Sequence, residues 1–545
     1  MTSDHSARAT GRGRVVMLVD NGVHGDSRVQ KTARSAAEAG WDVVLLGVLG
    51  GQSETDQWQI GEAQVKLLPV GRGLGRHPTV FQRSLRRPLA YPPGFHAAYR
   101  IQKVRAWQAA MHERRTAWEV AQATGGGRLP AMFGGTLQLP ARLTAKALAR
   151  WVRFRAGELH RLQRNQQDPN TLLTRLSVAF WRKLLGSRSW RRLDRGLWDY
   201  ELAFRNVIDE LKPDLIHAHD FRMIGVGARA VLRARAQGRP TRLVWDAHEF
   251  VAGVSGREDN VRWLPAQVAH VEEYIRHADA VVTVSDTLAE LLQQTHRLPA
   301  RPYVVLNAPV VGPPPADEAD LATPDLRGLC GIGPETPLLV YSGAVNASRG
   351  VDIMVESLPD LPGVHVALVT LTSGSANEAS DQLRARAVEL GVGDRVHVLP
   401  YVRYWQVPAF LSAADAGVIP IHHKPNHELA LITKYLEYSH ARLPIVVSDV
   451  RTMADTTRST GQGEVFRAQD RADYVRAVRA VLADPDRYRA AYDRPDLLVN
   501  WTWEAQARVL DDVYRTLTGR TRPTRTDSTW ADAGAEGRPR VAETV

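Results

Sequence analysis

The chain of 545 residues contains a single cysteine, Cys330. One thiol excludes an intramolecular disulfide framework and any cysteine-rich metal site, so the composition does not indicate a secreted protein. Apolar runs are short, and none reaches the roughly 18 residues that indicate a membrane-spanning helix. The polar opening segment MTSDHSARATGRGR and the brief VVMLVD run after it lack a signal-peptide core, so we expect a cytoplasmic protein.

Acidic residues are scarce in one segment. Residues 71–200 hold 25 Lys and Arg but 6 Asp and Glu, a net charge of +19, whereas the whole chain carries +11 and the remainder therefore −8. Arg-rich helical stretches alternate there with Pro and Gly breaks, and 6 of the 14 tryptophans lie among them. This pattern favours an anionic membrane surface, which would make the protein peripheral on the inner membrane face. A plain helical insertion with a solvated face is the alternative, and a nucleic acid partner is the least favoured.

The first strand is not followed by a GxGxxG motif, but a βαβ pattern is present. RVVMLVD predicts a buried strand, NGVHGDSR a glycine-containing turn, RVQKTARSAAEAG a helix ending at Gly40, and WDVVLLGV a second strand. Such a turn directs its residues towards the carboxyl edge of a parallel sheet, where α/β folds bind ligands. Within this turn, Asp26 or Ser27 could instead cap the helix and leave Arg28 solvated.

Two later strands end in polar clusters. PDLIHAHD and RLVWDAHEF are consecutive strand patterns, so their tips should lie side by side at one sheet edge. His217, His219, Asp220 and His248 could ligate a metal there. Because alternate strand residues point to opposite faces and no helical ligand pair is present, we expect no metal.

The most informative stretch is NHELALITKYLEYSHARLPIVVSD, residues 426–449. It predicts a loop, a helix opened by Thr433, and a buried strand. The amides and dipole of the helix start, with the charge of Lys434, suit a diphosphate, and Glu437 could accept a sugar hydroxyl. A surface helix with one acid is the alternative. The pattern resembles the donor site of retaining GT-B glycosyltransferases, in particular glycosyltransferase family 4 (glycosyl transferases group 1).

This resemblance implies donor-site residues in the second half of the chain. Glu437 would hold the nucleotide ribose, and Thr433 and Lys434 would contact the diphosphate. The family's first glutamate lies eight positions earlier, where this chain has Leu429, so its neighbour Glu428 is the displaced candidate for the sugar contact.

The loop GAVNASRG would supply more of the donor site. Arg349 resembles the basic residue set against the diphosphate, and Gly343 the first glycine of that loop. Ala344 stands where the family usually has a second Arg. Tyr401 and Val402, after Pro400, hold the place that usually meets the base through backbone atoms.

The resemblance also assigns residues in the first half. His219 matches the histidine that contacts the donor sugar, and we expect it to form the catalytic group with Arg349 and Lys434. The remaining candidates on the acceptor side are Asp246, His248 and Glu249, within RLVWDAHEF. In the turn after the first strand, which in this family contacts the donor phosphate or the acceptor, Gly22 is the donor-binding candidate and Asn21 and Arg28 are the acceptor-side candidates.

The predicted fold class is α/β, with two Rossmann-like GT-B domains facing a cleft. Residues 14–310, including a third strand in VKLLPV, form the acceptor domain, and the basic helical insertion interrupts it at about 71–200. The Pro-rich run begins a linker at 311–335, and residues 336–500 form the donor domain. A terminal helix at 501–519 packs back on the domain junction, and a disordered tail follows at 520–545.

The implied reaction is sugar transfer from a nucleotide diphosphate sugar to an acceptor, with retention and without metal or other cofactor. A lipid-linked or cell-surface polysaccharide acceptor would fit the basic segment. Two alternatives remain: a nucleotide-sugar 2-epimerase of similar fold, and a catalytically degenerate membrane-associated binding protein. Donor sugar, base, acceptor identity and oligomeric state are not specified by the sequence.

Overall fold

The computed structural model describes residues 13–50, 56–71, 89–92, 96–108, 139–167, 172–254, 260–314, 320–370 and 375–520. The chain divides into two compact units. The larger comprises Met1–Val70, Tyr200–Val254 and Val271–Val545, and the smaller comprises Gly71–Asp199 and Ser255–His270. The disordered tail predicted for residues 520–545 lies, apart from Arg520, outside the described residues.

The first sheet of the larger unit has eight strands in the order β3-β4-β2-β1-β5-β6-β7-β8. They are β1 (Arg14–Leu18), β2 (Asp42–Val48), β3 (Gln57–Ile60), β4 (Ala63–Leu68), β5 (Leu215–His219), β6 (Arg242–Ala247), β7 (Ala280–Thr283) and β8 (Tyr303–Val304). All pairings are parallel except β3 with β4. VKLLPV predicts β4, but no pattern predicts β3, because this edge strand is short and mostly exposed.

The second sheet has six parallel strands in the order β11-β10-β9-β12-β13-β14. They are β9 (Leu338–Ser342), β10 (His365–Val369), β11 (Val396–Leu399), β12 (Ala416–Ile419), β13 (Ile445–Ser448) and β14 (Gly463–Phe466). The central strands are buried along their whole length and mostly apolar, as expected of strands covered on both faces. Two parallel sheets in order along the chain confirm the predicted α/β class.

Helices connect and cover the strands. They are α1 (Ser27–Glu38), α2 (96–108), α3 (Leu139–Gln167), α4 (Leu172–Leu185), α5 (Trp190–Leu193), α6 (Leu197–Leu211), α7 (Asp220–Ala236), α8 (Trp263–Tyr274), α9 (Asp286–His296), α10 (Leu326–Cys330), α11 (Asp352–Glu356), α12 (Ser375–Glu389), α13 (Val407–Leu411), α14 (Pro425–Leu429), α15 (Thr433–His440), α16 (Arg451–Thr460), α17 (Arg471–Ala483), α18 (Pro485–Arg489) and α19 (Trp503–Thr518). Among the described residues, no helix is both long and apolar enough to cross a bilayer.

Helix α10 lies inside the range predicted as a linker, 311–335, and corrects that prediction. Asp325 caps it by accepting a hydrogen bond from the Arg327 amide. Leu326 and Cys330, four residues apart and so on one helix face, are buried in a core of the second half. The chain therefore joins the second half before residue 335, because these two apolar side chains anchor it there.

The last helix returns to the first sheet. Trp503 donates its backbone N–H to Pro309 O at 2.8 Å, where α19 begins. The buried face of α19 shares the core of β1 and β2 through Trp503, Leu510, Val513 and Tyr514. The terminal helix predicted at residues 501–519 is thus part of the first half's core.

The smaller unit contains most of the basic segment, and its bounds fall close to the predicted 71–200. Helix α3 packs there through residues spaced three or four apart, and this buried face consists of Ala145, Ala149, Val152, Ala156 and Leu159. Ala149, Val152 and Leu159 share a cluster with residues of α2 and of the 89–92 segment. Residues 255–270 also belong to this unit, which the sequence did not indicate because they lie far along the chain from the basic segment.

Candidate functional site

Each sheet has a point where the chain reverses its direction of winding. In the first sheet it lies between β1 and β5, and in the second between β9 and β12. Ligands of open α/β sheets bind beyond the carboxyl ends of the strands at such points. The loops after β1, β5, β6, β9 and β12 therefore define the candidate site, and they contain most of the predicted residues.

The loop after β9 and the start of α15 form a cradle around Lys434. The Lys434 Nζ lies 3.7 Å from the centroid of the Tyr341 ring, at the end of β9. Gly343 has φ of +133°, and a Cβ there would lie 2.8 Å from Lys434 Nζ. Only glycine can therefore occupy this position while Lys434 keeps its place. The Tyr341 hydroxyl donates to Ala344 O at 2.7 Å, which fixes the same loop.

Lys434 is buried beside other charges. Burial lowers the pKa of Lys434 well below its ordinary value, the Arg349 guanidinium lowers it further, and Glu437 opposes both. An ammonium held next to a guanidinium is electrostatically unfavourable until an anion arrives between them. The cradle is consequently suited to a doubly charged group such as a diphosphate.

Arg349 belongs to a loop that is tied to the end of β12. Gly350 has φ of +62°, and a Cβ there would lie 2.1 Å from Pro420 O. The His422 amide donates to Ser348 O at 3.1 Å. Because these contacts join the loops after β9 and β12, they hold Arg349 at the reversal point of the second sheet.

The amino end of α15 adds unpaired amides to the cradle. The helix begins at Thr433, and its N-cap Ile432 has no side chain that can accept a hydrogen bond from the first turn. The first-turn amides, which no side chain caps, and the positive end of the helix dipole are therefore available to an anion bound beside Thr433 and Lys434.

Glu437 and Tyr401 lie in the same electrostatic neighbourhood. Burial raises the pKa of Glu437, while Lys31 and Lys434 lower it. Burial also raises the pKa of the Tyr401 hydroxyl, with Glu437 adding to the rise and Arg349 opposing it. Val402 next to Tyr401 is partly buried against the second-half core. The structure thus brings Arg349, Lys434, Glu437 and Tyr401 together.

Glu428 is engaged in hydrogen bonds outside this group, and its contact with the donor sugar stays a prediction. Its Oε1 accepts from His423 Nδ1 at 2.6 Å, and its Oε2 accepts from the Arg451 amide at 2.7 Å. The other ring nitrogen of His423 bonds Asp449 at 2.9 Å. Both carboxylate oxygens of Glu428 therefore take part in joining the loops after β12 and β13.

In the first half, Arg28 and Asp246 form a buried ion pair. The Arg28 Nε and Nη2 donate to the two oxygens of Asp246 at 2.9 Å each, and Nη1 donates to Val305 O at 2.8 Å. Arg28 is 4% exposed and Asp246 1% exposed. The alternative of a solvated Arg28 is therefore wrong. The pair is placed to orient its neighbours, since neither side chain reaches solvent on the acceptor side.

The histidines of β5 and β6 gather around Asp246. Its Oδ2 lies 3.3 Å from His219 Nδ1, 3.2 Å from His248 Nε2 and 3.8 Å from His217 Nε2. Burial would raise the pKa of Asp246, but Arg28 and His248 hold it well below its ordinary value. Burial lowers the pKa of His219, and its Nε2 has no hydrogen-bond partner among the described residues. His219 is thus a buried imidazole whose Nδ1 lies beside Asp246, and its lowered pKa favours the neutral form.

Contrary to the expectation from the sequence, His217 and His219 of β5 do not point to opposite faces of the sheet. They are two residues apart and share a face of the sheet, and their rings stack with centroids 4.1 Å apart. Ligand atoms of His217, His219 and Asp246 lie within 4.8 Å of one another, a spacing that could hold a metal ion. Arg28 already neutralises Asp246 through both oxygens, so we interpret the cluster as a buried ion-pair network.

The remaining acceptor-side candidates lie around the tips of β1, β5 and β6. Asn21 folds onto its own turn, donating to Asp26 and accepting from the Val23 amide at 2.8 Å each. Gly22 in the same turn is partly exposed. Burial raises the pKa of Glu249 to about 7, and the nearby Asp220 carboxylate adds to the rise.

Asp26 caps α1 by accepting a hydrogen bond from the Val29 amide. Asp220, directly after β5, has φ of +63°, an unusual value for a residue with a side chain and one that is common at functional sites.

Contacts between the two halves were not indicated by the sequence. Asn426 exchanges two hydrogen bonds with the backbone of Phe250, at 2.9 and 3.1 Å. The Ser285 hydroxyl donates to Leu429 O at 2.6 Å. These contacts join the segments after β6 and β7 to α14, the short helix that precedes α15. Single Asn and Ser residues give no pattern that would reveal them.

The position of Lys31 was also not predicted from the sequence. Its Nζ donates to Asn307 Oδ1 at 3.0 Å and Ala308 O at 2.6 Å, and it lies 4.7 Å from the Trp503 ring centroid. The sequence feature that could have indicated its burial is its position among the apolar residues on one face of α1. Lys31, on α1, therefore contacts both the segment after β8, at residues 307–308, and α19.

Comparisons with known proteins match both halves of the chain. The family described as "Glycosyl transferases group 1" matches residues 327–494, and the one described as "Glycosyltransferase Family 4" matches residues 161–310. The D-inositol 3-phosphate glycosyltransferase of Geodermatophilus obscurus is 28% identical over 249 residues, 43% of this chain and 52% of that protein. The chain thus spans about half the length of this curated relative.

Two further proteins extend the likeness. The glycogen synthase of Mycobacterium tuberculosis is 26% identical over 311 residues, 56% of this chain and 69% of that protein. The solved structure of the sucrose-phosphate synthase of Thermosynechococcus elongatus superposes with a TM-score of 0.58 at 15% identity, covering 93% of this chain and 100% of that one. The latter likeness supports the two-sheet fold.

Proposed function

We propose that this chain, which belongs to the family 4 glycosyltransferases of GT-B fold, transfers a sugar from a nucleotide diphosphate sugar to an acceptor hydroxyl with retention at the anomeric carbon. The observation that carries the proposal is the gathering of Arg349, Lys434 and the amino end of α15 at the reversal point of the second sheet. These are the groups that bind a diphosphate.

Stabilisation of the leaving diphosphate is the main catalytic contribution we assign. As the bond between the anomeric carbon and the diphosphate oxygen breaks, negative charge grows on the diphosphate. Arg349, Lys434 and the α15 amides are already in place to stabilise that charge, so little reorganisation is needed. The proposed reaction therefore requires no metal ion or other cofactor.

For the proposed retention we favour a front-face substitution over a double displacement through an enzyme carboxylate. Glu428 is engaged by His423 and the Arg451 amide, and Asp246 by Arg28, so neither is free to attack the anomeric carbon. We propose that the acceptor oxygen bonds to the anomeric carbon on the face the diphosphate leaves, and that its proton passes to a diphosphate oxygen. His219 would contact the donor sugar through its free Nε2.

The acceptor side lies at the tips of β1, β5 and β6. Asp220 and Glu249 are carboxyl groups well suited to accept hydrogen bonds from sugar hydroxyls, and the pKa of Glu249, about 7, would let it also donate one. The relatives' names indicate an inositol phosphate and a glucan as substrates. We propose a glycan acceptor, either lipid-linked or part of a surface polysaccharide. A lipid-linked acceptor would bring the protein to the inner membrane face, which the +19 charge of residues 71–200 supports.

The test is a donor screen followed by site variants. Thermal shift with nucleotide diphosphates identifies the base, and product formation from the matching sugar donors is then measured with and without glycan acceptors. Arg349→Ala and Lys434→Ala should each lower kcat/KM about 100-fold or more, because each removes a charge that stabilises the leaving group. The matched control Arg458→Ala removes an exposed charge on α16 and should leave activity unchanged.

Other outcomes would favour the alternatives. Isomerisation of the donor without any acceptor would identify an epimerase. No thermal shift with any nucleotide would identify a binding protein with a degenerate donor site. NMR of the anomeric proton of the product decides retention, and undiminished turnover in excess EDTA decides metal independence.

A further inference from the structure

Helix α4 in the smaller unit has an apolar stripe that faces solvent. Leu172, Leu176, Phe180 and Leu184 are 56% to 74% exposed. Their spacing of four residues advances about 40° per step around a helix, so the stripe covers a sector of roughly 120°. The opposite side of α4 buries Thr174 and Val178. The stripe is thus additional to the face through which α4 packs.

Helix α3 repeats this arrangement. Leu143, Leu148, Trp151 and Phe154 are 43% to 61% exposed, and the Trp151 and Phe154 rings stack with centroids 5.7 Å apart. They lie apart from the residues by which α3 packs on α2 and the 89–92 segment. Single exposed apolar residues are ordinary, but two helices with four large ones each indicate an interaction surface.

Exposed basic residues flank both stripes. On α3 they include Lys146 and Arg150, and on α4 Arg175 and Lys183. The two helices together contain one acidic residue, Glu158, which is 3% exposed and pairs with Arg161 at 2.6 Å. The surface therefore combines large apolar side chains with positive charge that no exposed acid on these helices offsets.

We propose that α3 and α4 bind an anionic bilayer, with the Leu, Phe and Trp side chains inserted among the lipid chains and the Lys and Arg side chains at the headgroups. Helices with Lys and Arg on one side and Leu, Phe and Trp on the other lie in the plane of a membrane interface. The anionic headgroups attract the basic residues while the apolar side chains leave water.

The composition of the surface favours a bilayer over the other basic-surface partner, a nucleic acid. Nucleic acid interfaces are polar and hold the phosphates with Arg and Lys. Seven of the eight stripe residues, all except Trp151, are leucine or phenylalanine, which have no partner on a phosphate backbone. The docking does not depend on the proposed transfer reaction, and only its use at a lipid-linked acceptor rests on that function.

Co-sedimentation of the full chain with vesicles tests the proposal. We expect wild-type protein to bind phosphatidylcholine vesicles containing about 30% phosphatidylglycerol at least about tenfold more strongly than pure phosphatidylcholine vesicles. Leu176→Asp with Phe180→Asp should lower binding at least about tenfold, because the side chains no longer enter the lipid. Arg175→Glu with Lys183→Glu should lower it similarly through charge repulsion.

Three controls separate docking from other effects. Val388→Asp, at a 70% exposed position on α12, should bind vesicles like the wild type. Unchanged thermal unfolding midpoints would show that the stripe variants fold. Lys434→Ala should lose catalysis and keep vesicle binding, so failure of the transfer reaction and failure of docking are distinguishable.

Several results would overturn the proposal. One is wild-type protein that stays in the supernatant with anionic vesicles. Another is equal vesicle binding by the wild type and both double variants. A third is a stripe that instead mediates self-association, seen as a dimer by light scattering that Phe180→Asp dissociates, with no vesicle binding by the wild type.

Discussion

Lys31 offers a quantitative test of how the larger unit is held together. Its ammonium is buried between α1, residues 307–308 and α19, and burial lowers its pKa from 10.5 to about 7. The Arg28 charge lowers this pKa further, whereas Glu437 and Glu504 raise it. We predict that Lys31→Met changes the pH dependence of the free energy of unfolding in a defined direction.

The magnitude follows from proton linkage. A pKa of about 7 in the folded protein and 10.5 in the unfolded chain corresponds to about 5 kcal/mol of free energy. Below pH 7 both states hold the proton, so the full unfavourable contribution of the buried charge is present. Between pH 7 and 10.5 the unfolded chain binds the proton and the folded protein has released it, so stability rises with pH. The slope is about 1.4 kcal/mol per pH unit.

Urea unfolding at pH 7, 8 and 9, followed by tryptophan fluorescence, measures this slope. From pH 7 to pH 9, the free energy of unfolding of the wild type minus that of Lys31→Met should rise by about 2 kcal/mol, because the full linkage slope is reached only above the folded-state pKa of about 7. At any single pH, the stability difference between the wild type and Lys31→Met also includes the lost hydrogen bonds to Asn307 and Ala308. The change of this difference with pH does not include them. Trp503, close to the Lys31 ammonium, contributes to the fluorescence.

The exposed Lys103 on α2 supplies the matched control. Lys103→Met should differ from the wild type by an amount that does not change with pH, because its ammonium stays in water. A difference between the wild type and Lys31→Met that is flat from pH 7 to 9, or that falls as pH rises, would refute the reasoning about Lys31.

Three further predictions concern the site. Binding of a nucleotide diphosphate should be accompanied by proton uptake at Lys434 and should weaken as pH rises, because burial lowers the pKa of Lys434 in the free protein and the bound anion raises it. Calorimetry in two buffers of different ionisation enthalpy should measure this proton uptake, and Lys434→Met should lack it. Glu437→Gln should weaken nucleotide binding about tenfold or more, whereas Glu428→Gln should change it less than about threefold, measured by the same titration. Asn426→Ala removes two hydrogen bonds to Phe250, about 1 kcal/mol each, and should speed proteolysis between the halves.

Periodic features of the sequence predicted the fold well. The apolar strands and the helix opening at Thr433 follow from local pattern, and so does the charge that distinguishes residues 71–200. Spacing along a strand or helix determines which side chains share a face. The positions of Arg349 and Lys434 at one reversal point follow from the order of parallel strands, which pattern and resemblance together indicate.

Features that depend on contacts between distant segments could not be predicted. Glu428 accepts hydrogen bonds from His423, five residues earlier, and from the Arg451 amide, twenty-three residues later. Asn426 and Phe250 are 176 residues apart. A single Asn side chain gives no hint of such a partner, because an Asn serves equally well as a turn former.

The return of α19 to the first sheet has a consequence for how the protein is made. Tyr514 Oη lies 2.5 Å from His217 Nδ1, and Trp503, Leu510 and Val513 complete the same interior. During synthesis, the core of the first sheet can be completed only after almost the entire polypeptide has left the ribosome. A gene fragment ending near residue 310 would accordingly yield an aggregation-prone product, and co-expression of a peptide spanning α19 should rescue it.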